Sequence, residues 1–125
     1  MTQYLAALTP ELHVQLLLDK TKNNLNLTET IFKKLFHELP NQLIAIKNAL
    51  ENNQLSEAKD ITHILHGSAS FCGLQAIQNP AKQLEKSLLA ANSELAAKNL
   101  NILTQQVNAL TDQQFAILKI LGNLN

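Results

Sequence analysis

The densest group of chemistry-bearing side chains in the chain is the run Thr62-His63-Ile64-Leu65-His66-Gly67-Ser68-Ala69-Ser70-Phe71-Cys72-Gly73. On a helix at about 100° per residue, Ser56, Lys59, Asp60, His66, Gly67 and Ser70 fall within roughly 60° of His63. Ala58, Ile61, Leu65, Ser68 and Cys72 take the opposite side. His63 is therefore expected in the middle of a polar face, where packing gains nothing from it. Imidazole is a competent nucleophile near neutral pH because its neutral form is well populated there. Gly67 is placed one turn beyond His63 on that face, in a helix interior where glycine costs about 1 kcal/mol relative to alanine. A residue without a side chain beside an exposed imidazole leaves room for a large group to approach. Lys59, His66 and Ser70 can supply positive charge and hydrogen-bond donors to an anion held there. A phosphoryl group delivered by a docking partner satisfies these features together.

Other chemistries fit less well. His66 is exposed on the same wheel and is the alternative acceptor. His63 and His66 lie one turn apart and could ligate a metal with Cys72 or Glu85, but Cys72 projects from the other face and two histidines alone make a weak site. Cys72 reads instead as a small core residue. No serine, histidine and acid arrangement suggests hydrolysis, and no glycine-rich loop suggests nucleotide binding. His13 and His37 have no comparable surroundings. Phe71, at about 80° from His63 on the wheel, borders the polar face, whereas Phe32, Phe36 and Phe115 read as core.

Helices must position these groups. The chain has 125 residues, among them 25 leucines, 14 alanines, 2 valines and no tryptophan, so helix formers abound and strand formers are scarce. Thr9-Pro10-Glu11 is a helix start, and a short helix is expected from Pro10 to Lys22. Asn26 with Glu29 marks the next start, with an apolar stripe at Leu27, Ile31, Leu35, Leu39, Leu43, Ile46 and Leu50. Pro40 predicts a kink there or two helices on one axis. A third helix is expected from Leu55 to Cys72, with Gly73 as its stop. A fourth runs from Leu74 to Ala91 with Leu74, Ile77, Ala81, Leu84 and Leu88 inward and Pro80 as a bend or a late start. Asn92-Ser93-Glu94 caps the last long helix, striped by Ala96, Leu100, Leu103, Val107 and Leu110. Thr111 with Gln114 either restarts a helix through Leu121 or lets it continue. The expected fold is all-α: one domain over residues 1–125, an antiparallel four-helix bundle with a short additional N-terminal helix covering one end.

Composition narrows the partners. Ten lysines balance ten acidic side chains, with no arginine, and the isoelectric point is near 6.9. That balance argues against nucleic acid, which demands a clustered cationic excess. No apolar stretch approaches the ~20 residues of a membrane span, and Met1 is not followed by a leader pattern. No membrane contact is expected, and the single cysteine fits a reducing, cytoplasmic setting. The triplet Asn26-Leu27-Thr28 matches a glycosylation acceptor but reads as chance without a leader.

The pattern His63-x-Leu65-His66-Gly67-Ser68, with Gly73 and then Leu84-Glu85 beyond it, resembles the histidine-containing phosphotransfer (HPt) domain of bacterial phosphorelays. It is similar to the C-terminal HPt module of tripartite hybrid sensor kinases of the BarA and GacS type, from about Leu16 to Leu89 and including Leu39-Pro40. The resemblance implies that His63 is the phosphoacceptor, that Gly67 gives docking clearance, and that Gly73 turns the chain into the following helix. Glu85 matches a glutamine or glutamate that can face the acceptor ring, here accepting a hydrogen bond from Nδ1 and leaving Nε2 free. His66 stands where the commoner pattern has a lysine that helps hold the phosphoryl group. The implied partners are response-regulator receiver domains. The domain would act as a monomeric carrier without catalysis of its own, binding no cofactor, with Mg²⁺ on the receiver. A receiver-binding adaptor without phosphotransfer and a purely structural helical module are the competing readings.

Overall fold

The computed structural model describes residues 8–124, so the reading of the segment after Met1 concerns residues outside that range. Six helices account for almost all of the described chain: α1 (Pro10–Lys20), α2 (Leu25–Glu51), α3 (Leu55–Phe71), α4 (Gln75–Leu89), α5 (Ser93–Thr111) and α6 (Gln114–Leu124). Thr9 caps α1 through its side chain, which accepts from the Leu12 amide at 3.1 Å, with Pro10 in the first turn. α1 ends two residues before the expected Lys22, because Lys22 and Asn23 take left-handed backbone angles (φ 56° and 65°). The cap of α2 is Asn24, not Asn26. Its Oδ1 accepts from the Leu27 amide at 3.0 Å, and Thr28 Oγ1 donates to the Asn24 carbonyl at 2.8 Å. Once the left-handed pair has turned the chain, Asn24 is the first residue with extended backbone, and it takes the cap. Glu29 pairs instead with Lys33 at 3.8 Å on the surface.

That earlier start also changes the buried stripe. Thr28, Phe32 and Phe36 lie inside, whereas Leu27 is 45% exposed. One continuous helix of 27 residues runs through Pro40. The missing amide of Pro40 deprives the Phe36 carbonyl of its helical donor, but Leu35, Phe36 and Leu39 before it and Leu43 and Ile46 after it are all buried. Core contacts on both sides hold the helix together across the defect. α4 likewise passes through Pro80.

Four helices end by one device. At the ends of α1, α2, α3 and α4 the residue two past the helix is left-handed: Lys22, Asn53, Gly73 and Ala91. The next amide donates back to the carbonyl five residues earlier, as Leu74 does to Ala69 at 2.9 Å and Asn92 to Ser87 at 2.9 Å. These tight reversals pack α2 on α3, α3 on α4, α4 on α5, and α5 back on α2. The bundle core follows from the stripes. All five expected residues of α4 and its lead-in, and all five of α5, are buried beside Leu39, Ile46 and Leu65. Each leucine, isoleucine or valine among them contributes roughly 1.5–3 kcal/mol on removal from water, and each alanine less. Cys72 is buried in this core, and burial pushes its thiol up to about 11, against a smaller opposing effect of Lys20.

Of the two readings left open at Thr111, the structure shows the restart. Asp112 and Gln113 separate α5 from α6, which runs on to Leu124. α6 packs against α1 and both touch α2, so α1 shares its position with a second short helix. Gln113 Nε2 donates to the Leu8 carbonyl at 2.8 Å across this junction. His13 of α1 lines an apolar cavity of about 350 Å³ with Leu16, Leu74, Ile77, Leu110 and Gln113. Its Nδ1 is buried without a partner, and burial lowers its pKa below 6.5.

Two outcomes follow from these features. A left-handed alanine costs about 1–2 kcal/mol more than glycine at the same angles, partly offset by the looser unfolded chain. Ala91→Gly is therefore expected to stabilise the domain by about 0.5–1 kcal/mol, read as a higher urea midpoint. His13 is neutral in the fold and takes its proton more readily when unfolded, so its contribution is complete above pH 6.5 and is lost as pH falls below it. Stability measured from about pH 7 down to pH 5 should decline, and His13→Gln should flatten that decline.

Candidate functional site

The α3–α4 hairpin builds the site. Gly73 (φ 70°) permits the reversal, Leu74 anchors it in the core, and the antiparallel register sets His63 of α3 across from Glu85 of α4. On α3 the buried residues are Ala58, Thr62, Leu65 and Ala69, so His63 is held outward from a face committed to the core. Thr62, the one buried polar residue among them, donates its hydroxyl to the Ala58 carbonyl at 2.7 Å and needs nothing from the site.

The side chain of His63 is 73% exposed, and its Nδ1 lies 2.7 Å from Glu85 Oε2. An ionised carboxylate only accepts, so Nδ1 carries the proton and the lone pair of the neutral ring is on Nε2. Nε2 makes no hydrogen bond among the described residues and faces solvent. A charge-assisted hydrogen bond contributes about 1.5–3 kcal/mol at best, and fixing a glutamate costs up to about 2 kcal/mol of rotamer freedom. In so exposed a place the bond orients the ring more than it stabilises the fold.

His66 departs from the expectation of an exposed ring. Its side chain is 23% exposed, close to the 26% of Glu85, and its Nδ1 stands 3.4 Å from Glu85 Oε1. The helical wheel places both histidines on one face, but α4 packs over the side that His66 occupies. The two oxygens of Glu85 therefore face two imidazoles. Lys59 does not reach this cluster: its Nζ lies 3.8 Å from Asp60 Oδ1. Ser70 is exposed farther along α3, and Gly67 is exposed with nothing within 4 Å of where a Cβ would stand. The glycine is thus not demanded by packing. Cys72 is buried away from this face, and among the described residues no three histidine, cysteine or acidic side chains are placed to hold a metal ion.

Beside Gly67 a shallow groove of about 450 Å³ separates α2 from α3. Ile31, Lys34 and Glu38 form one wall, and Ile64, Ser68 and Phe71 the other. Ile64 and Phe71 are both exposed, and Lys34 pairs with Glu38 at 3.9 Å. The position of Phe71 at the border of the faces is legible in the helical wheel. Ile64 is not singled out by that reading, although an isoleucine next to His63 and away from the core side is the available signal. An exposed imidazole beside a bare glycine and an apolar groove suits a protein partner that must bring its reacting atom close to Nε2.

Comparison with known proteins identifies the family. A family model described as the Hpt domain matches residues 30–113. The chain is also similar to the HPT domain of an Hpt sensor hybrid histidine kinase from Shewanella. The two share 25% sequence identity and a TM-score of 0.69, over 90% of this chain and 97% of that one. No curated protein matches. No helix among the described residues is long and apolar enough to cross a membrane. With its helical bundle, its outward histidine and the family match over most of its length, the chain belongs to the Hpt domain family, whose work is phosphotransfer in phosphorelays.

Proposed function

We propose that this domain carries a phosphoryl group on His63, taking it from the aspartate of one receiver domain and yielding it to the aspartate of another. The observation that supports this reading most strongly is the exposed His63 ring with Nδ1 tied to Glu85 at 2.7 Å. In the forward step the Nε2 lone pair attacks phosphorus, the acyl P–O bond breaks, and the aspartate leaves as a carboxylate. The Nδ1 proton stays in its bond to Glu85, which balances the cationic ring that forms. The return step reverses these changes, with the imidazole as leaving group. Phosphoryl transfer depends mainly on in-line positioning and charge neutralisation. In this reading the receiver supplies the Mg²⁺ that neutralises charge on the phosphoryl group. The groove along Ile64, Gly67 and Phe71 is the docking surface of this reading, with one copy of the domain meeting one receiver.

Incubation with a labelled phospho-receiver and Mg²⁺ tests the carrier. Acid-labile, base-stable label should appear on the wild-type domain and vanish in His63→Gln. Label that persists in His63→Gln moves the acceptor elsewhere, and receiver binding without any label supports the adaptor. Gly67→Ala separates docking from folding. Because a Cβ meets nothing there, the variant should gain about 0.5–1 kcal/mol of stability from better helix propensity. Its transfer rate should nonetheless fall about tenfold or more, as the added methyl displaces the receiver from the in-line approach.

A further inference from the structure

His66 occupies the place of a lysine in the commoner Hpt pattern, yet its ring is turned toward Glu85. Its Nδ1 is 3.4 Å from Oε1, while the other oxygen of the same carboxylate is 2.7 Å from His63 Nδ1. Residues three apart on a helix are neighbours, so one side chain from α4 can meet both rings. We infer that His66 is a positioning residue for the phosphoacceptor: by holding Oε1 of Glu85 it keeps Oε2 on His63 Nδ1, and so keeps the lone pair of His63 on Nε2. This inference rests on the carrier reading for its kinetic consequence but not for its structural one.

The physical need for such a residue follows from exposure. Glu85 has three rotatable bonds, and its bond to His63 is made by a ring that is 73% exposed. Water competes there for both partners, and one hydrogen bond offsets little more than the rotamer freedom it removes. His66 is much less exposed, and its ring, held between α3 and α4, is the steadier of the two. A contact from that side limits the rotamers of the carboxylate before His63 engages it. Lys59 does not perform this task, being paired with Asp60, and Lys34 and Glu38 of α2 pair with each other along one wall of the groove on the other flank of α3. The contact at 3.4 Å is longer than the usual 2.7–3.2 Å of a hydrogen bond to nitrogen. It therefore acts as a limit on the carboxylate and not as the main bond.

Long-range proton–nitrogen spectra of the domain labelled with ¹⁵N in histidine test the idea at neutral pH, alongside the rate of label uptake from a phospho-receiver. In the wild type, Nδ1 should be the protonated nitrogen in both His63 and His66. In His66→Phe the His63 nitrogens should move toward tautomer-averaged positions, and label uptake should slow roughly threefold to fivefold, as expected for losing one weak charge contact. His66→Gln, whose amide can donate to Oε1, should restore the His63 pattern and bring uptake to within about twofold of wild type. An unprotonated His66 Nδ1 in the wild type overturns the inference without any variant having to fold. So does a folded His66→Phe with wild-type His63 shifts, or equal slowing in both variants with those shifts unchanged, which would put His66 on the phosphoryl group itself. If the wild type takes up no label, the carrier reading falls, while the tautomer pattern still decides the role of His66.

Discussion

The short contact between His63 Nδ1 and Glu85 Oε2 is the interaction on which the geometry of the site depends. An imidazole has two nitrogens, and a reaction at one of them requires that the other be occupied in a known way. Glu85 meets that requirement only if α3 and α4 keep their register. The glycine turn at Gly73, the amide of Leu74 bonded to Ala69, and the buried pair Leu65 and Leu84 all serve to keep it. A slip of one residue in either helix would rotate its facing side chain by about 100° and part the pair.

Stability and chemistry are drawn from different parts of the molecule. The buried face of α3 is built largely from small residues, Ala58, Thr62 and Ala69 around Leu65. It brings α3 close to its neighbours while burying little volume of its own. The larger side chains come from α2 and α5, with Phe32, Leu39, Ile46 and Leu103 fully buried. The face around His63 therefore carries residues that the fold would not choose, above all a helical glycine with open space around it and exposed Ile64 and Phe71. The bundle tolerates them because its cohesion lies on the other sides.

Much of this was legible in the sequence, and the exceptions have physical causes. The stripes of α4 and α5 could be read residue by residue because leucine and alanine recur at helical spacing with few polar competitors. The sequence places the start of α2 two residues late, at Asn26, since Asn23, Asn24 and Asn26 all suit a turn or a cap. The backbone of Lys22 and Asn23 decides among them, and that choice moves Leu27 outward. Two prolines read as interruptions, but core contacts on either side carried the helices through. A wheel drawn for α3 alone gives His63 and His66 equal exposure. Only the packing of α4 distinguishes them, and that is a property of two helices together. The groove between α2 and α3 is likewise invisible to any single-helix pattern.

His63 and its carboxylate partner are separated by only 22 residues along the chain, within one hairpin closed by a three-residue turn. Closing so short a loop costs little chain entropy, and contacts of this range are those that form early when a helical domain folds. The His63–Glu85 pair is thus a local structure, whereas the two ends of the chain are tied together by the packing of α1 on α6 and by contacts that span nearly the whole polypeptide, such as Gln113 with Leu8. Sequence can drift, lengthen or be joined to other modules at those ends with slight effect on the geometry at His63. A domain built this way is suited to being moved between larger proteins while its chemistry stays intact.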